Sequence, residues 1–120
     1  MAYPYMFKKT GGNKYHNNKV EYDGIKFDSK KERDYYIRVK NDDTISNLQL
    51  QVRIELLPKF QDNQGNNIRK MEYVADFVYN KDGITYIVDT KGFKTSDYKL
   101  KKKLLLYKLK DDKNIIFLEL

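Results

Sequence analysis

The order of apolar and polar residues predicts a fold that mixes strands with helices. Residues 20–27 alternate around Asp23-Gly24, a pair typical of a two-residue β-hairpin turn. Alternation also predicts a strand with one buried face over residues 48–56, and residues 80–83 form a turn between two later strands. The predicted order is strand, strand, helix, three strands, helix, strand. This order indicates an α+β or mixed α/β domain with a mixed sheet flanked by helices and an N-terminal β-hairpin.

Two helices are predicted from their N-terminal capping residues. Ser29 stands three residues before Glu32, which is the spacing of a capping box, and the helix that follows runs to about Lys40. Thr95 or Ser96 caps the second helix, which follows the last hairpin of the sheet.

Length and composition fit one domain without disulfides. The chain has 120 residues, and we assign residues 1–19 to a flexible basic arm and residues 20–120 to a single domain. No apolar run approaches the roughly 20 residues that span a bilayer, so we expect a cytoplasmic protein without membrane contact. The absence of cysteine and the single histidine exclude thiolate zinc sites and histidine clusters. Any chemistry must therefore use carboxylates, lysines and hydroxyls.

The positive charge is concentrated in one segment. Residues 91–110 contain eight lysines and one aspartate, which accounts for the whole net charge of +7. Such a cluster suits a polyanion such as DNA, although a solvated lysine-rich helix face would have the same composition. We expect Leu100, Leu104 and Tyr107 to hold this helix against the sheet. The lysines expected to bind DNA are Lys14, Lys94, Lys99, Lys101, Lys102 and Lys103.

Two aspartates on the central hairpin form the candidate site. A two-residue turn would place Asp76 directly opposite Asp89, and a four-residue turn would make them diagonal neighbours on one face. Two adjacent carboxylates repel each other unless a cation shares the site, and the Thr90 backbone carbonyl could add a third oxygen ligand. Lys91 would then stand beside a metal-bound water or the phosphate. The alternative is an ion pair between one aspartate and Lys91 on a solvated face of the sheet.

Two further polar residues occupy notable positions. Glu32 satisfies a capping box, but it also lies on the apolar stripe of its helix with Tyr36 and Val39, where an uncompensated acid is costly. This position makes Glu32 a candidate catalytic residue and metal ligand. Gln51 is a candidate accessory residue, although it lies on the polar face of its predicted strand, where solvent exposure explains it.

Asp76, followed by Asp89-Thr90-Lys91 and preceded by Glu32, resembles the motif of the PD-(D/E)XK nuclease superfamily. The chain has Ala75 where the proline of that motif would stand. Several short sequence motifs also resemble a family of small phage-encoded proteins that are uncharacterised or Holliday-junction-resolvase-like. These motifs are Asn13-Lys14-Tyr15, Asp23-Gly24, Phe27-Asp28-Ser29-Lys30, Tyr73-Val74-Ala75-Asp76-Phe77 and Asp89-Thr90-Lys91-Gly92. The resemblance implies a restriction-endonuclease-like core in which Asp76, Asp89 and Lys91 bind the metal and catalyse, Glu32 completes the site, and Lys101 could point inward.

The function expected from this resemblance is a Mg²⁺-dependent endodeoxyribonuclease, with Mn²⁺ as a substitute. It would act on branched or structured DNA in phage recombination or replication, in the host cytoplasm. A small chain has little room for a sequence-reading subdomain, so specificity would come from DNA shape and from a symmetric homodimer. The competing class is a non-catalytic basic nucleic-acid-binding module with a structural carboxylate cluster.

Overall fold

A computed structural model describes residues 19–90 and 95–120, which belong to two compact units, residues 1–45 and 46–120. The first unit contains strands β1 (Val20–Tyr22) and β2 (Ile25–Phe27) and helix α1 (Lys30–Lys40). The second unit contains β3 (Ile45–Leu57) except its first residue, and β4 (Phe60–Gln61), β5 (Asn67–Ile68), β6 (Met71–Lys81), β7 (Ile84–Asp89), α2 (Ser96–Leu109) and β8 (Ile115–Glu119). The predicted mixed α and β fold with an N-terminal hairpin is confirmed.

The first unit is a hairpin followed by a capped helix, as the sequence predicts. Tyr22 pairs with Ile25 across a two-residue turn in which Asp23 and Gly24 both adopt positive φ, of 57° and 74°. These values match a type I′ turn, which favours Asp-Gly because glycine has no Cβ to strain. The hairpin packs against α1 through aromatic contacts, including rings of Phe27 and Tyr36 whose centroids are 5.2 Å apart.

The second unit is built on a four-stranded mixed sheet with strand order β3-β6-β7-β8. Strands β6 and β7 are antiparallel, whereas β7 and β8 are parallel and are connected through α2. A turn after Gln61 joins the short strands β4 and β5 in a separate two-stranded sheet. Asp62 stabilises this turn by accepting hydrogen bonds from the backbone N–H groups of Gln64 and Asn66.

Helix α2 packs on the four-stranded sheet through Tyr98 and Leu105, which join Tyr73, Ala75 and Ile87 in the core cluster of this unit. The prediction that Leu100, Leu104 and Tyr107 hold the helix against the sheet is wrong. Their exposed fractions are 51%, 37% and 69%. The helix instead buries Tyr98 and Leu105, and Lys101 and Lys102 are half-buried at the margin of that face. None of the helices among the described residues is long and apolar enough to cross a membrane.

Candidate active site

The register of β6 and β7 brings Asp76 and Asp89 to the same end of the hairpin. The ladder runs from Lys81 paired with Ile84 to Phe77 paired with Val88, so the turn contains only Asp82 and Gly83. Both turn residues have positive φ, of 53° and 79°, as a type I′ turn requires. The two-residue alternative is therefore the one that forms. The ladder ends at Phe77 and Val88, so Asp76 and Asp89 are the next residues along the two strands.

Asp76 is held by the residue that follows Asp89. Its Oδ2 accepts hydrogen bonds from the backbone N–H and from the hydroxyl Oγ1 of Thr90, both at 2.9 Å. The backbone ladder between the strands ends at Phe77 and Val88. Beyond that point, the Asp76 carboxylate accepts the hydrogen bond of the Thr90 N–H. The side chain of Asp76 is therefore fixed against the end of β7, with its exposed fraction reduced to 6%.

Asp89 is the most deeply buried acid of the described chain. Its exposed fraction is 0%, and its Oδ2 accepts a hydrogen bond of 2.5 Å from the phenol of Tyr73, which is itself 2% exposed. Burial of the Tyr73 ring, followed by the hydrogen bond to Asp89, holds the pKa of Tyr73 well above its ordinary value of 10.0. The phenol therefore stays protonated and remains a donor to the carboxylate.

The burial of both acids contradicts the alternative of an ion pair on a solvated sheet face. Side chains on such a face would keep much of their exposure, whereas Asp76 and Asp89 are 6% and 0% exposed. The donors that Tyr73 and Thr90 supply are neutral groups, and they orient the two carboxylates. Buried charges require compensation by a cation or a proton. Lys91, the adjacent candidate in sequence, lies outside the described residues, as do Lys14 and Lys94.

Ser29 caps α1 as predicted, and the Glu32 carboxylate reaches back to the backbone N–H of Asp28, one residue before the N-cap residue that a capping box uses. The backbone N–H of Glu32 donates to Ser29 Oγ at 3.1 Å, and its own Oε1 accepts from the backbone N–H of Asp28 at 3.0 Å. The side chain is only 3% exposed, together with Tyr36 and Val39 at 6% and 4%, so the apolar stripe of α1 does carry an acid. The structure thus establishes a capping role for Glu32 in the first unit, and its role in catalysis or metal binding remains a prediction.

The lysines of α2 divide into an exposed set and a paired set. Lys99 and Lys103 are exposed. Lys101 is half-buried, and its Nζ lies 3.8 Å from Oδ2 of Asp97, one turn earlier on the same helix. Lys102 is also half-buried, and its Nζ lies 2.7 Å from Oε1 of Glu119 on β8. Lys102 therefore has an acidic partner within the protein and is half-buried, whereas its sequence neighbour Lys103 is exposed.

Sequence reasoning missed a group of polar contacts next to Asp89. Glu119 pairs with Asp89 in the parallel register of β7 and β8. Its Oε2 accepts a hydrogen bond of 2.5 Å from the phenol of Tyr98, and burial with this hydrogen bond raises the pKa of Tyr98 well above 10. The only sequence signal for this group was an acid in an otherwise apolar final strand.

Gln51 is half-buried, and the expectation of simple solvent exposure is wrong. Its φ of 54° lies in the left-handed region, as does that of Asn47 at 55°, so β3 departs from regular alternation at both positions. The side-chain carbonyl Oε1 of Gln51 is buried as a result. Such local irregularities reorient side chains in a strand, and no alternating pattern in the sequence reveals them. A role for Gln51 in the site remains a prediction.

The described residues contain no group of three or more histidine, cysteine, aspartate or glutamate side chains placed to hold a metal ion. At the end of the hairpin, the acidic side chains among these residues are Asp76 and Asp89.

A comparison with curated proteins gives no match. A comparison with protein families matches residues 12–118 to the family described as "Protein of unknown function (DUF1064)". Since this match covers nearly the whole chain, the protein belongs to the DUF1064 family.

Proposed function

We propose that this protein is a Mg²⁺-dependent endodeoxyribonuclease that hydrolyses phosphodiester bonds in branched or structured DNA. The observation that carries the proposal is the pair of buried acids, Asp76 and Asp89, held at one end of the β6–β7 hairpin. The order of these two acids and Lys91 along the chain is also what resembles the PD-(D/E)XK nucleases.

The chemistry of the side chains suits a hard divalent cation. Carboxylate and carbonyl oxygens are the ligands that Mg²⁺ prefers, and Mg²⁺ commonly uses only one or two carboxylates, completing its shell with water and substrate phosphate. Two aspartates with the Thr90 backbone carbonyl would therefore suffice, without the third acidic side chain that the described residues lack. Glu32 is proposed as a further ligand or catalytic group.

The cation would supply Lewis acidity, polarising the phosphate and lowering the pKa of a bound water. The remaining work falls to residues of this chain. Thr90 orients Asp76 through two hydrogen bonds, and Tyr73 orients Asp89 through one. Lys91, directly after Thr90 in sequence, is proposed to stabilise the negative charge that develops on the phosphate.

The surface charge of α2 supports DNA as the substrate. Lys99 and Lys103 are exposed, and Lys103 points away from the core residues Tyr98 and Leu105 on the helix. Exposed lysines on a helix contact phosphates without reading bases, which fits recognition of DNA shape. The proposed symmetric homodimer would present two such sites to the two strands of a branched substrate.

A cleavage assay tests the proposal directly. Wild-type protein is incubated with labelled linear, nicked, flap and four-way DNA in Mg²⁺ or Mn²⁺, with EDTA as the negative control. We expect cleavage of the branched substrates that EDTA abolishes and that Asp76→Asn abolishes. The matched control is Asp111→Asn, which removes the same charge from a side chain that is 88% exposed.

Two results would separate the competing functions. Metal-dependent cleavage supports the nuclease. Salt-sensitive DNA binding without cleavage of any substrate would contradict it and would favour a non-catalytic nucleic-acid-binding module whose carboxylates are structural. Cleavage by Asp76→Asn at the wild-type rate would contradict the assignment of the site.

A further inference from the structure

A chain of side-chain contacts links Asp89 to the surface of α2. The phenol of Tyr73 donates to Asp89 Oδ2 at 2.5 Å, and the rings of Tyr73 and Tyr98 lie with centroids 6.1 Å apart. The phenol of Tyr98 donates to Oε2 of Glu119. The other oxygen of that carboxylate, Oε1, accepts from Lys102 Nζ at 2.7 Å. Asp89 therefore stands at the buried end of a polar arrangement whose other end is a half-buried lysine.

We propose that Tyr73 is a positioning residue for the metal-binding carboxylate of Asp89, an inference that rests on the proposed function of the site. A carboxylate that binds a cation through one oxygen is oriented by the hydrogen bond that its other oxygen accepts. Tyr73 supplies that hydrogen bond from a buried and therefore immobile ring, 2% exposed. The carboxylate plane of Asp89 is thus fixed before any cation arrives.

The hydroxyl of Tyr73 is not required by packing. Its ring belongs to an apolar cluster with Ala75, Ile87 and Leu105 and makes an edge-to-face contact with Phe117, with centroids 5.9 Å apart. A phenylalanine would fill the same space, and a buried hydroxyl is costly unless it is hydrogen-bonded. The carboxylate that accepts the hydrogen bond of this hydroxyl is Asp89, an acid of the proposed site. The role of the hydroxyl is therefore at the site.

The position of Tyr73 also departs from regular strand geometry. In the observed register the face of Asp89 includes Ile87 and its partner Val78, and strict alternation would place Tyr73 on the opposite face of β6. Tyr73 nevertheless reaches Asp89 and packs in the same cluster as Val78 and Ile87. Three consecutive residues between them, from Ala75 to Phe77, are all buried. The change in alternation at Asp76 is therefore what brings the phenol to Asp89.

The test uses Mn²⁺ binding in the absence of DNA, so that it does not depend on cleavage. Calorimetry is performed on the full-length wild type, on Tyr73→Phe and on the control Tyr86→Phe, with the thermal midpoint of each. Tyr86 lies on the same strand as Asp89, and its ring stacks on that of Tyr79. We expect Tyr73→Phe to weaken Mn²⁺ binding by about 10- to 100-fold, as is typical for such partners, and Tyr86→Phe to bind as the wild type does.

A second measurement on the wild type keeps the proposal falsifiable if Tyr73→Phe does not fold. A buried phenol with a short hydrogen bond gives a slowly exchanging hydroxyl proton in the NMR spectrum, identified by its contacts to the Tyr73 ring. We expect this resonance to shift when Mg²⁺ is added to saturation.

The outcomes distinguish this inference from the proposed function. A wild type that binds Mn²⁺ while Tyr73→Phe binds it equally well would overturn the positioning role and leave the metal site standing. A hydroxyl resonance that does not respond to saturating Mg²⁺ would overturn it as well. A wild type that binds no Mn²⁺ would overturn the metal site and the positioning role together.

Discussion

Burial separates Asp76 and Asp89 from most other acidic residues of the described chain. Acids such as Asp62 and Asp23 are exposed or paired at the surface, where hydrogen bonds to Asn66 or to Lys40 lower their pKa values. Asp76 and Asp89 are instead 6% and 0% exposed, and the donors from Thr90 and Tyr73 are neutral. Burial of a carboxylate is unfavourable unless hydrogen bonds or a nearby positive charge compensate it, and the proposed cation would supply part of that compensation.

The first prediction concerns stabilisation by Mg²⁺. Asp76→Asn and Asp89→Asn keep an oxygen that accepts the hydrogen bonds of Thr90 and Tyr73, but each removes one negative charge. Mg²⁺ at 100 times its Kd should stabilise the wild type by about 2.7 kcal/mol, and neither variant should gain stability. Thermal unfolding with and without Mg²⁺ measures the effect, with Asp111→Asn as the control. Equal stabilisation of wild type and both variants would contradict metal binding at these acids.

The second prediction separates the two roles of Glu32. Glu32→Gln keeps an oxygen that can accept from the Asp28 N–H, so the capping box and the free energy of unfolding should be preserved. If the charge of Glu32 acts at the site, single-turnover cleavage should fall by at least about 10-fold with an unchanged thermal midpoint. Full activity in Glu32→Gln would confine this residue to capping.

At the scale of elements, helix α2 shows which features the sequence could not reveal. Its capping residue was predictable, because Thr95 Oγ1 accepts from the Tyr98 N–H. Its buried face was not, because leucines and lysines are mixed around the whole helix. The face is decided by Tyr98 and Leu105 packing on the sheet and by the ion pair of Lys102 with Glu119. That ion pair joins residues 17 positions apart on two different elements, and no local pattern reveals it.

The third prediction tests the division of the lysines. Lys99→Gln with Lys103→Gln should reduce the slope of log K against log salt by about 0.9 for each phosphate that is no longer neutralised, with an unchanged thermal midpoint. Lys102→Gln should instead lower the free energy of unfolding by about 1 kcal/mol, because it breaks the pair with Glu119. Fluorescence anisotropy at several salt concentrations and urea unfolding measure these effects. An unchanged salt slope in the double variant would mean that this lysine face does not bind DNA.

The fourth prediction concerns stability at alkaline pH. Burial and the hydrogen bond to Glu119 raise the pKa of Tyr98 above 10 in the folded protein, whereas the unfolded chain has the ordinary value. The stabilisation is fully present below pH 10 and is lost as the pH rises above 10, because only the unfolded chain then releases the proton. Tyr98→Phe should therefore lose less stability than the wild type between pH 10 and 11 in urea unfolding. Parallel losses would contradict the raised pKa.

The hairpin of β6 and β7 illustrates what local chemistry does predict. Asp82-Gly83 selects a type I′ turn, and this turn fixes the register that carries Asp76 and Asp89 to the same end of the hairpin. The involvement of Tyr73 could not be predicted, because strict alternation assigns it to the other face of the strand. The partial burial of Gln51 was not predicted for a similar reason, since its positive φ interrupts the alternation of β3.

At the scale of the whole molecule, charge and burial support the same function. The net charge of +7 arises from residues 91–110, which follow directly on the strand that carries Asp89. A basic segment that follows two buried acids in the chain fits the proposed metal-dependent enzyme acting on a polyanion. The DUF1064 family has no described function, so the proposal depends on the chemistry of these residues.

The most direct test of the account is the single-turnover cleavage rate of four-way DNA as a function of Mg²⁺ concentration, for wild type, Asp89→Asn and Asp111→Asn. We predict a wild-type rate that rises with Mg²⁺ and saturates, an Asp111→Asn rate that matches it, and an Asp89→Asn rate at least about 100-fold lower at every concentration. Cleavage by Asp89→Asn at the wild-type rate, or no Mg²⁺-dependent cleavage by the wild type, would contradict the account.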